Sequence, residues 1–141
     1  MDRNATARWT GDLKAGKGTV TLGSKAYEGP YSFASRFESG TGTNPEELLG
    51  AAHAGCFSMA LSAALAAKGK VATSVTTTAT VHLGKVEGGF AITGIDLVTR
   101  GVVPGLSEAE FRQMAEETKK GCIISRALAA VPMTVDAALG S

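Results

Sequence analysis

The sequence is poor in the features that mark several large classes of protein. Aromatic residues make up 6% of its 141 residues, cysteine occurs twice, and Lys plus Arg (14) nearly balances Asp plus Glu (13). A net charge of +1 provides no basic surface of the kind that binds nucleic acid or an anionic membrane. Two cysteines do not make the disulfide framework of a small secreted protein. With 19% charged and 44% apolar residues, the chain is neither disordered nor a coiled coil.

Long apolar runs are also scarce. No apolar stretch follows residues 1–6, so no secretory signal is predicted and we expect a cytoplasmic protein. The uncharged residues 50–67 are numerous enough to span a membrane, but they are mostly Ala, Gly and Ser, with His53 among them. We therefore expect a buried helix of a soluble protein, and no membrane partner.

Alternation of apolar and polar side chains predicts strands in two groups. Pro30 sets the start of the third strand, which contains Arg36, and Gly88 with Gly89 marks a hairpin turn between two long strands. The predicted strands cover residues 5–10, 17–22, 31–37, 71–86, 90–103 and 133–137.

A long helix is predicted between the two groups of strands. Asn44 is a good N-cap, Pro45 suits the first helical position, and Gly69 suits the position after the last turn. The helix is apolar or small on nearly every face, which predicts that it is buried all round. Because a chain of this size has difficulty surrounding such a helix, we expect a second subunit to cover one side.

Two further helices are predicted after the second hairpin. Ser107 and Glu110 form a capping box for the first, which ends at Gly121, and a short helix covers residues 122–130. The predicted fold class is therefore α+β, with antiparallel sheets around a long buried central helix, in a single domain of residues 1–141.

The two cysteines are the first candidates for chemistry. Cys56 lies in the middle of the long helix, where a cysteine is commonly a small apolar filler. A reactive thiolate at that position needs a nearby cation, such as an arginine. Cys122 follows two lysines and begins a helix, and both features favour a thiolate, although it could equally be a packing residue.

Other polar residues allow further interpretations. His53 shares a helix face with Cys56, as in a Cys–His hydrolase, or it is a hydrogen-bonded core residue. The histidines and cysteines lack the short spacing of metal ligands, so we expect no metal site. Locally, Arg36 is interpreted as a strand arginine paired with a surface carboxylate, and Glu46 as a favourable charge at the positive end of the helix.

Several segments together resemble the OsmC (osmotically inducible protein C) family. The resemblance covers essentially the whole chain, and its central motif is long enough to be far more specific than a short pattern. It implies an intertwined homodimer and a thiol-dependent peroxidase that reduces organic hydroperoxides, and hydrogen peroxide more weakly, without metal, haem or flavin. The segments are residues 7–12 (ARWTGD), 42–61 (GTNPEELLGAAHAGCFSMAL), 88–93 (GGFAIT) and 120–122 (KGC).

The resemblance also implies a role for four residues. Cys56 attacks the peroxide O–O bond and becomes a sulfenic acid, and Cys122 resolves it to a disulfide. Arg36 steadies the thiolate, and Glu46 orients Arg36. The implied partners are a small-molecule hydroperoxide and a dithiol reductant, for example a lipoyl-linked one, and no cofactor is implied.

The spacing along the predicted helix adds one constraint. Glu46 and Cys56 are ten residues apart, which corresponds to about 15 Å along the helix axis. If both serve one site, either Arg36 bridges a long gap or a second chain supplies part of the site.

The sequence leaves two other functions open. A non-catalytic, stress-induced dimer would bind a small apolar ligand at its interface, with both cysteines as packing residues. A Cys–His hydrolase would use His53 and Cys56, and would not need Cys122.

Overall fold

The computed structural model describes residues 1–140, and its chain falls into two units, residues 1–48 and the residues from Leu49 onward. The first unit contains three strands, a short helix and the start of a long helix: β1 (Ala5–Thr10), β2 (Lys17–Leu22), β3 (Glu28–Tyr31), α1 (Phe33–Phe37) and α2 (Pro45–Ala67). The second contains the rest of α2 and the remaining elements: β4 (Ser74–Val86), β5 (Gly89–Val102), α3 (Glu108–Gly121), α4 (Ile123–Ala127) and β6 (Met133–Leu139). The α+β class is confirmed.

The first unit is built on an antiparallel sheet in the order β1-β2-β3. The β1–β2 hairpin is confirmed, with Ala5 opposite Leu22 and Thr10 opposite Lys17. Gly18 is required here because a Cβ atom at that position would overlap the ring of Tyr31. Tyr31 in turn packs against Trp9, with ring centroids 5.3 Å apart, so the sheet carries an aromatic surface.

The extent predicted for the third strand is wrong. β3 ends at Tyr31, and α1 begins two residues later. Ser32 caps this helix: its hydroxyl accepts from the Ser35 N–H at 3.0 Å, and the Ser35 hydroxyl accepts from the Ser32 N–H at 2.9 Å. This reciprocal capping box outweighs the extended pattern of the segment, so Arg36 lies on a helical turn and not on a strand.

The second unit contains the sheet β4-β5-β6. β4 and β5 form the predicted antiparallel hairpin, with a bulge between His82 and Leu83. The two turn residues are Glu87 and Gly88, because Val86 pairs with Gly89, so the predicted turn is displaced by one residue.

The last strand corrects the prediction of purely antiparallel sheets. β6 pairs in parallel with β5, from Ile95 opposite Met133 to Gly101 opposite Leu139. Parallel neighbours need a crossover connection, which α3 and α4 provide. The alternating pattern of a strand is the same for either direction, so the sequence pattern did not distinguish them.

The long helix α2 begins and ends as predicted. The Asn44 side-chain oxygen accepts from the Glu47 N–H at 2.8 Å, and Gly69 takes a left-handed conformation (φ 74°) after the last turn. Its burial is different from the prediction, because only one stripe of the helix is buried, while the opposite side, including Met59, is exposed. The buried stripe consists of Glu46, Gly50, His53, Phe57, Leu61 and Leu65. The prediction that α2 is buried all round is therefore wrong for the single chain.

The composition of α2 also passes a simple test for a membrane span. Its mean hydropathy over an 18-residue window is 1.5, which together with its length would suffice to cross a bilayer. The core helix of a soluble protein passes the same test, so this property does not decide between the two.

The hydrophobic core of the second unit involves α2, the sheet and α3. The Ser107–Glu110 capping box forms as predicted and fixes the start of α3. A Cβ atom at Gly101 of β5 would lie 2.5 Å from the Phe111 ring, so the glycine lets α3 approach the sheet closely. The core side chains are Phe57, Leu61, Leu65, Ile95, Leu97, Val103, Phe111, Met114, Ala115, Cys122 and Ala137. This packing holds the end of α3, where Cys122 follows, against α2.

Candidate functional site

Two thiols lie side by side in the second unit. The sulfur atoms of Cys56 and Cys122 are 3.1 Å apart, although the residues are separated by 66 positions in the sequence. Both cysteines are free; Cys56 is half-buried on α2, and Cys122 is 1% exposed at the junction of α3 and α4. A disulfide bond is about 2.05 Å long, so an approach of about 1 Å would bring these sulfurs to bonding distance.

The surroundings of Cys122 change the acidity of its thiol. Burial raises the pKa, but hydrogen-bonding groups of Ser125, the Cys56 thiol and the Ile124 backbone lower it. The pKa of Cys122 is lowered overall. The direction agrees with the predicted tendency toward the thiolate, but neither of the two lysines that motivated the prediction is among the causes.

A buried histidine lies one step behind Cys122. His53 Nε2 is 2.7 Å from the hydroxyl oxygen of Ser125, which is 3% exposed, and His53 itself has no exposed surface. Burial lowers the pKa of His53, so the ring is neutral at pH 7. The prediction of a hydrogen-bonded core histidine is confirmed, and its bond goes to Ser125 and not to Cys56.

Ser125 was not singled out from the sequence. It stands three residues after Cys122, at the spacing that puts two side chains on one face of a helix. That spacing was the available signal, but it is weak, because serines occur in short helices without contacting any functional group.

The thiol pair opens on an apolar groove of about 700 Å³. Met59 and Ile123 line it and are 75% and 74% exposed. Its other lining residues are Ala52, Cys56, Ala60, Gly121, Cys122 and Ile124. Exposed apolar surfaces of this kind mark places where another protein surface or an apolar ligand binds.

The first unit contains an arginine–carboxylate pair. Arg36 Nη2 donates to Glu46 Oε1 at 2.7 Å, and Arg36 Nε donates to Glu46 Oε2 at 3.2 Å, so the guanidinium grips both oxygens. The side chain of Glu46 is 9% exposed and that of Arg36 is 38% exposed. The local interpretation of a strand arginine with a surface carboxylate is wrong in both parts, because Arg36 is helical and its partner is buried.

Arg36 also lies in an aromatic cleft of about 230 Å³. Its guanidinium carbon is 5.2 Å from the centre of the Phe37 ring, and Phe37 packs against Phe33. The cleft is also lined by Trp9, Leu13, Tyr31, Ser32 and Pro45. A cation set in an apolar wall suits a molecule that has a hydrocarbon part and polar oxygen atoms.

The four residues singled out by the family resemblance thus form two pairs. Cys56 and Cys122 meet in the second unit, and Arg36 and Glu46 meet in the first. Among residues 1–140, no three His, Cys, Asp or Glu side chains are grouped so that they could hold a metal ion.

Comparisons with known proteins identify the family of the chain. Residues 38–136 match the family described as OsmC-like protein. The chain is 49% identical to the peroxiredoxin OsmC of Escherichia coli (strain K12), over 100% of this chain and 99% of that protein. It is 37% identical to an organic hydroperoxide resistance protein of Xanthomonas axonopodis pv. citri, over 62% of this chain and 61% of that protein.

Solved structures share the fold. The organic hydroperoxide resistance protein OhrB of Bacillus subtilis superposes with a TM-score of 0.75 at 25% identity, covering 99% of this chain and 98% of the other. An OsmC-like protein of Mycoplasma pneumoniae superposes with a TM-score of 0.75 at 18% identity, covering 100% and 99%. The second likeness concerns the fold alone.

Proposed function

Since this chain belongs to the OsmC-like protein family and is an enzyme of the peroxidase type, we propose that it reduces organic hydroperoxides, and hydrogen peroxide more weakly, through Cys56 and Cys122. The observation that carries this mechanism is the separation of 3.1 Å between two free sulfurs at the edge of an apolar groove. Both cysteines line the groove, and Cys56 is half-buried whereas Cys122 is 1% exposed. That difference suits an attacking thiol and a resolving thiol.

The proposed reaction has two thiol steps. The Cys56 thiolate attacks the outer peroxide oxygen, an S–O bond forms, the O–O bond breaks, and the departing alkoxide takes up a proton to become an alcohol. The Cys122 sulfur then attacks the sulfenic sulfur of Cys56. The S–S bond forms, and the departing hydroxide becomes water by taking up the proton that the Cys122 thiol released on ionising. A dithiol, for example a lipoyl-linked one, reduces the disulfide to return both thiols.

Arg36 and Glu46 are proposed to serve the peroxide step. The guanidinium is permanently charged, so it can stabilise the thiolate and the negative charge that develops on the leaving oxygen. Glu46 fixes the direction of the guanidinium through its two-oxygen contact. Arg36 is therefore a candidate catalytic residue, and Glu46 is a candidate positioning residue.

A second copy of the chain is proposed to complete the site. Ten residues of α2 separate Glu46 from Cys56, about 15 Å along the helix axis, so these two side chains cannot touch within one straight helix. In an intertwined homodimer, the Arg36–Glu46 pair of one subunit would face the thiol pair of the other. The exposed apolar residues Met59 and Ile123 support burial of this groove by a second subunit.

Substitution in the groove tests the dimer. We expect Met59→Glu to shift the protein from dimer to monomer in sedimentation analysis, because a charge would be buried in an apolar interface. Val71→Glu is the matched control, since Val71 is equally exposed but does not line the groove. A wild-type protein that sediments as a monomer would overturn the proposed dimer.

Thiol variants test the chemistry. With cumene hydroperoxide and a dithiol, we expect Cys56→Ser to lose peroxide consumption, while Cys122→Ser forms a stable sulfenic acid that dimedone traps on Cys56. Equal turnover by wild type and Cys56→Ser would contradict the mechanism. If both thiols instead react slowly with iodoacetamide at neutral pH and no peroxide is consumed, a non-catalytic binding protein is the better description.

We also propose a reducing, cytoplasmic location, which would keep both thiols free.

A further inference from the structure

We infer that His53 is a positioning residue for Cys122: it fixes the Ser125 hydroxyl so that this hydroxyl donates a hydrogen bond to the Cys122 sulfur. The inference rests on the proposed function, because it gives His53 a role only if Cys122 is the resolving thiol. The three side chains belong to the second unit, and each is at most 3% exposed.

The direction of the hydrogen bonds follows from counting protons. Ser125 has one hydroxyl proton, and a neutral histidine has one ring N–H. His53 Nδ1 has no partner among the described residues, whereas Nε2 is 2.7 Å from the Ser125 oxygen. If Nε2 carries the proton, it donates to Ser125, and Nδ1 is left as a buried acceptor without a partner. The other tautomer would leave a buried N–H without a partner, and such groups are rarer in native structures. With Nε2 protonated, the Ser125 proton is free to point at sulfur.

The backbone places the groups for this purpose. His53 and Cys56 stand three residues apart on one side of α2, and Cys122 and Ser125 stand three residues apart at the start of α4. Two links therefore join the helices, sulfur to sulfur and imidazole to hydroxyl. The second link leads back to the first through Ser125, whose backbone N–H and, to a smaller extent, side-chain hydroxyl lower the pKa of Cys122 by hydrogen bonding.

Other charged groups also face this region. The charged side chains are Lys119, Lys120 and Arg126, which line a cleft together with Ser125. From α2, the Cys56 thiol contacts Cys122. Lys119 is paired with Glu116 at 3.0 Å. These groups stay in place when His53 or Ser125 is replaced, so a change in Cys122 acidity in such variants reports the histidine–serine link.

The chemical consequence lies in the second thiol step. Cys122 attacks as a thiolate, and a donor on its sulfur raises the thiolate fraction at neutral pH. Without that donor, more of Cys122 is protonated, and the sulfenic acid on Cys56 waits longer before hydroxide leaves and the disulfide closes.

The test is a thiolate titration in a Cys56→Ser background. Cys122 is then the only cysteine in the chain, so the ultraviolet absorbance of the thiolate reports it alone. We expect His53→Leu and Ser125→Ala to raise the titration midpoint by about one pH unit, a tenfold loss of thiolate at neutral pH. His53→Gln should keep a midpoint close to that of the Cys56→Ser protein with His53 intact, because the glutamine amide N–H can still donate to Ser125. Circular dichroism checks folding, and Ser125→Ala decides the question if His53→Leu does not fold.

The outcomes separate this inference from the proposed function. An unchanged midpoint in folded Ser125→Ala or His53→Leu would mean that the link is only structural, which overturns the inference. The titration uses no peroxide, so a raised midpoint in a protein that fails to consume peroxide would overturn the proposed function alone. With Cys56 restored, the sulfenic acid should last about tenfold longer in His53→Leu than in wild type.

Discussion

Replacing Glu46 by Gln measures how much the orientation of Arg36 contributes to the reaction. Gln is nearly the same size as Glu, but it offers one oxygen and no charge. The contact of Arg36 Nη2 with Oε1 at 2.7 Å or that of Nε with Oε2 at 3.2 Å is therefore lost, and the other becomes a neutral hydrogen bond.

The magnitude follows from these two contacts. A hydrogen bond to a charged group contributes about 1.5–3 kcal/mol, and a neutral one about 0.5–1.5 kcal/mol. Because Arg36 is 38% exposed, water screens the pair, and we take about 1–2 kcal/mol as the loss of orientation. If this loss is felt mainly in the transition state, kcat/KM falls about 5- to 30-fold.

The assay is steady-state consumption of cumene hydroperoxide with a dithiol, and Glu47→Gln is the matched control. Glu47 is the next residue of the same helical turn, carries the same charge and is exposed. Glu47→Gln should stay within about twofold of wild type, as surface substitutions generally have small effects. If the two variants have equal kcat/KM, the contact between Glu46 and Arg36 does not orient the catalytic cation, and the reasoning is refuted.

Two predictions concern stability. Burial lowers the pKa of His53 below its ordinary value of 6.5, so below about that pH the unfolded chain binds more protons than the folded chain, and stability falls as the pH falls. Between pH 7 and about pH 5, the melting temperature of wild type should therefore drop more than that of His53→Gln; equal drops for the two proteins would contradict this. Leu61→Ala, in the core, should lower the free energy of unfolding by about 2–5 kcal/mol, as measured by urea denaturation. The control Val71→Ala, at an exposed position, should lower it by less than about 0.5 kcal/mol. Similar values for the two variants would show that α2 is not packed as described.

The elements with strong local signals were predictable from the sequence. Asn44 followed by Pro45 marked the start of α2, and Ser107 with Glu110 marked that of α3, because a cap depends on residues a few positions apart. Helix α1 was not predicted although Ser32 and Ser35 also form a capping box, since Pro30 favoured an extended segment over residues 31–37.

The features that were not predictable depend on distant parts of the chain. The direction of β6 is set by the crossover that precedes it. Which side of α2 is buried depends on the elements that pack against the helix, and its small apolar residues are nearly the same on every side. The two cysteines were recognised as candidates, but only the packing of α3 and α4 on α2 puts their sulfurs in contact. Ser125 became visible only through its hydrogen bond to a buried ring.

The closeness of the two sulfurs has a consequence for the stability of the whole chain. A bond between Cys56 and Cys122 would close a loop across 66 positions, which by loop entropy makes the unfolded state about 4 kcal/mol less favourable. Each catalytic cycle would then carry the protein between a cross-linked form that resists heat and denaturant and a reduced form that yields sooner. The melting temperature of a sample would thus report how much of the enzyme awaits its reductant.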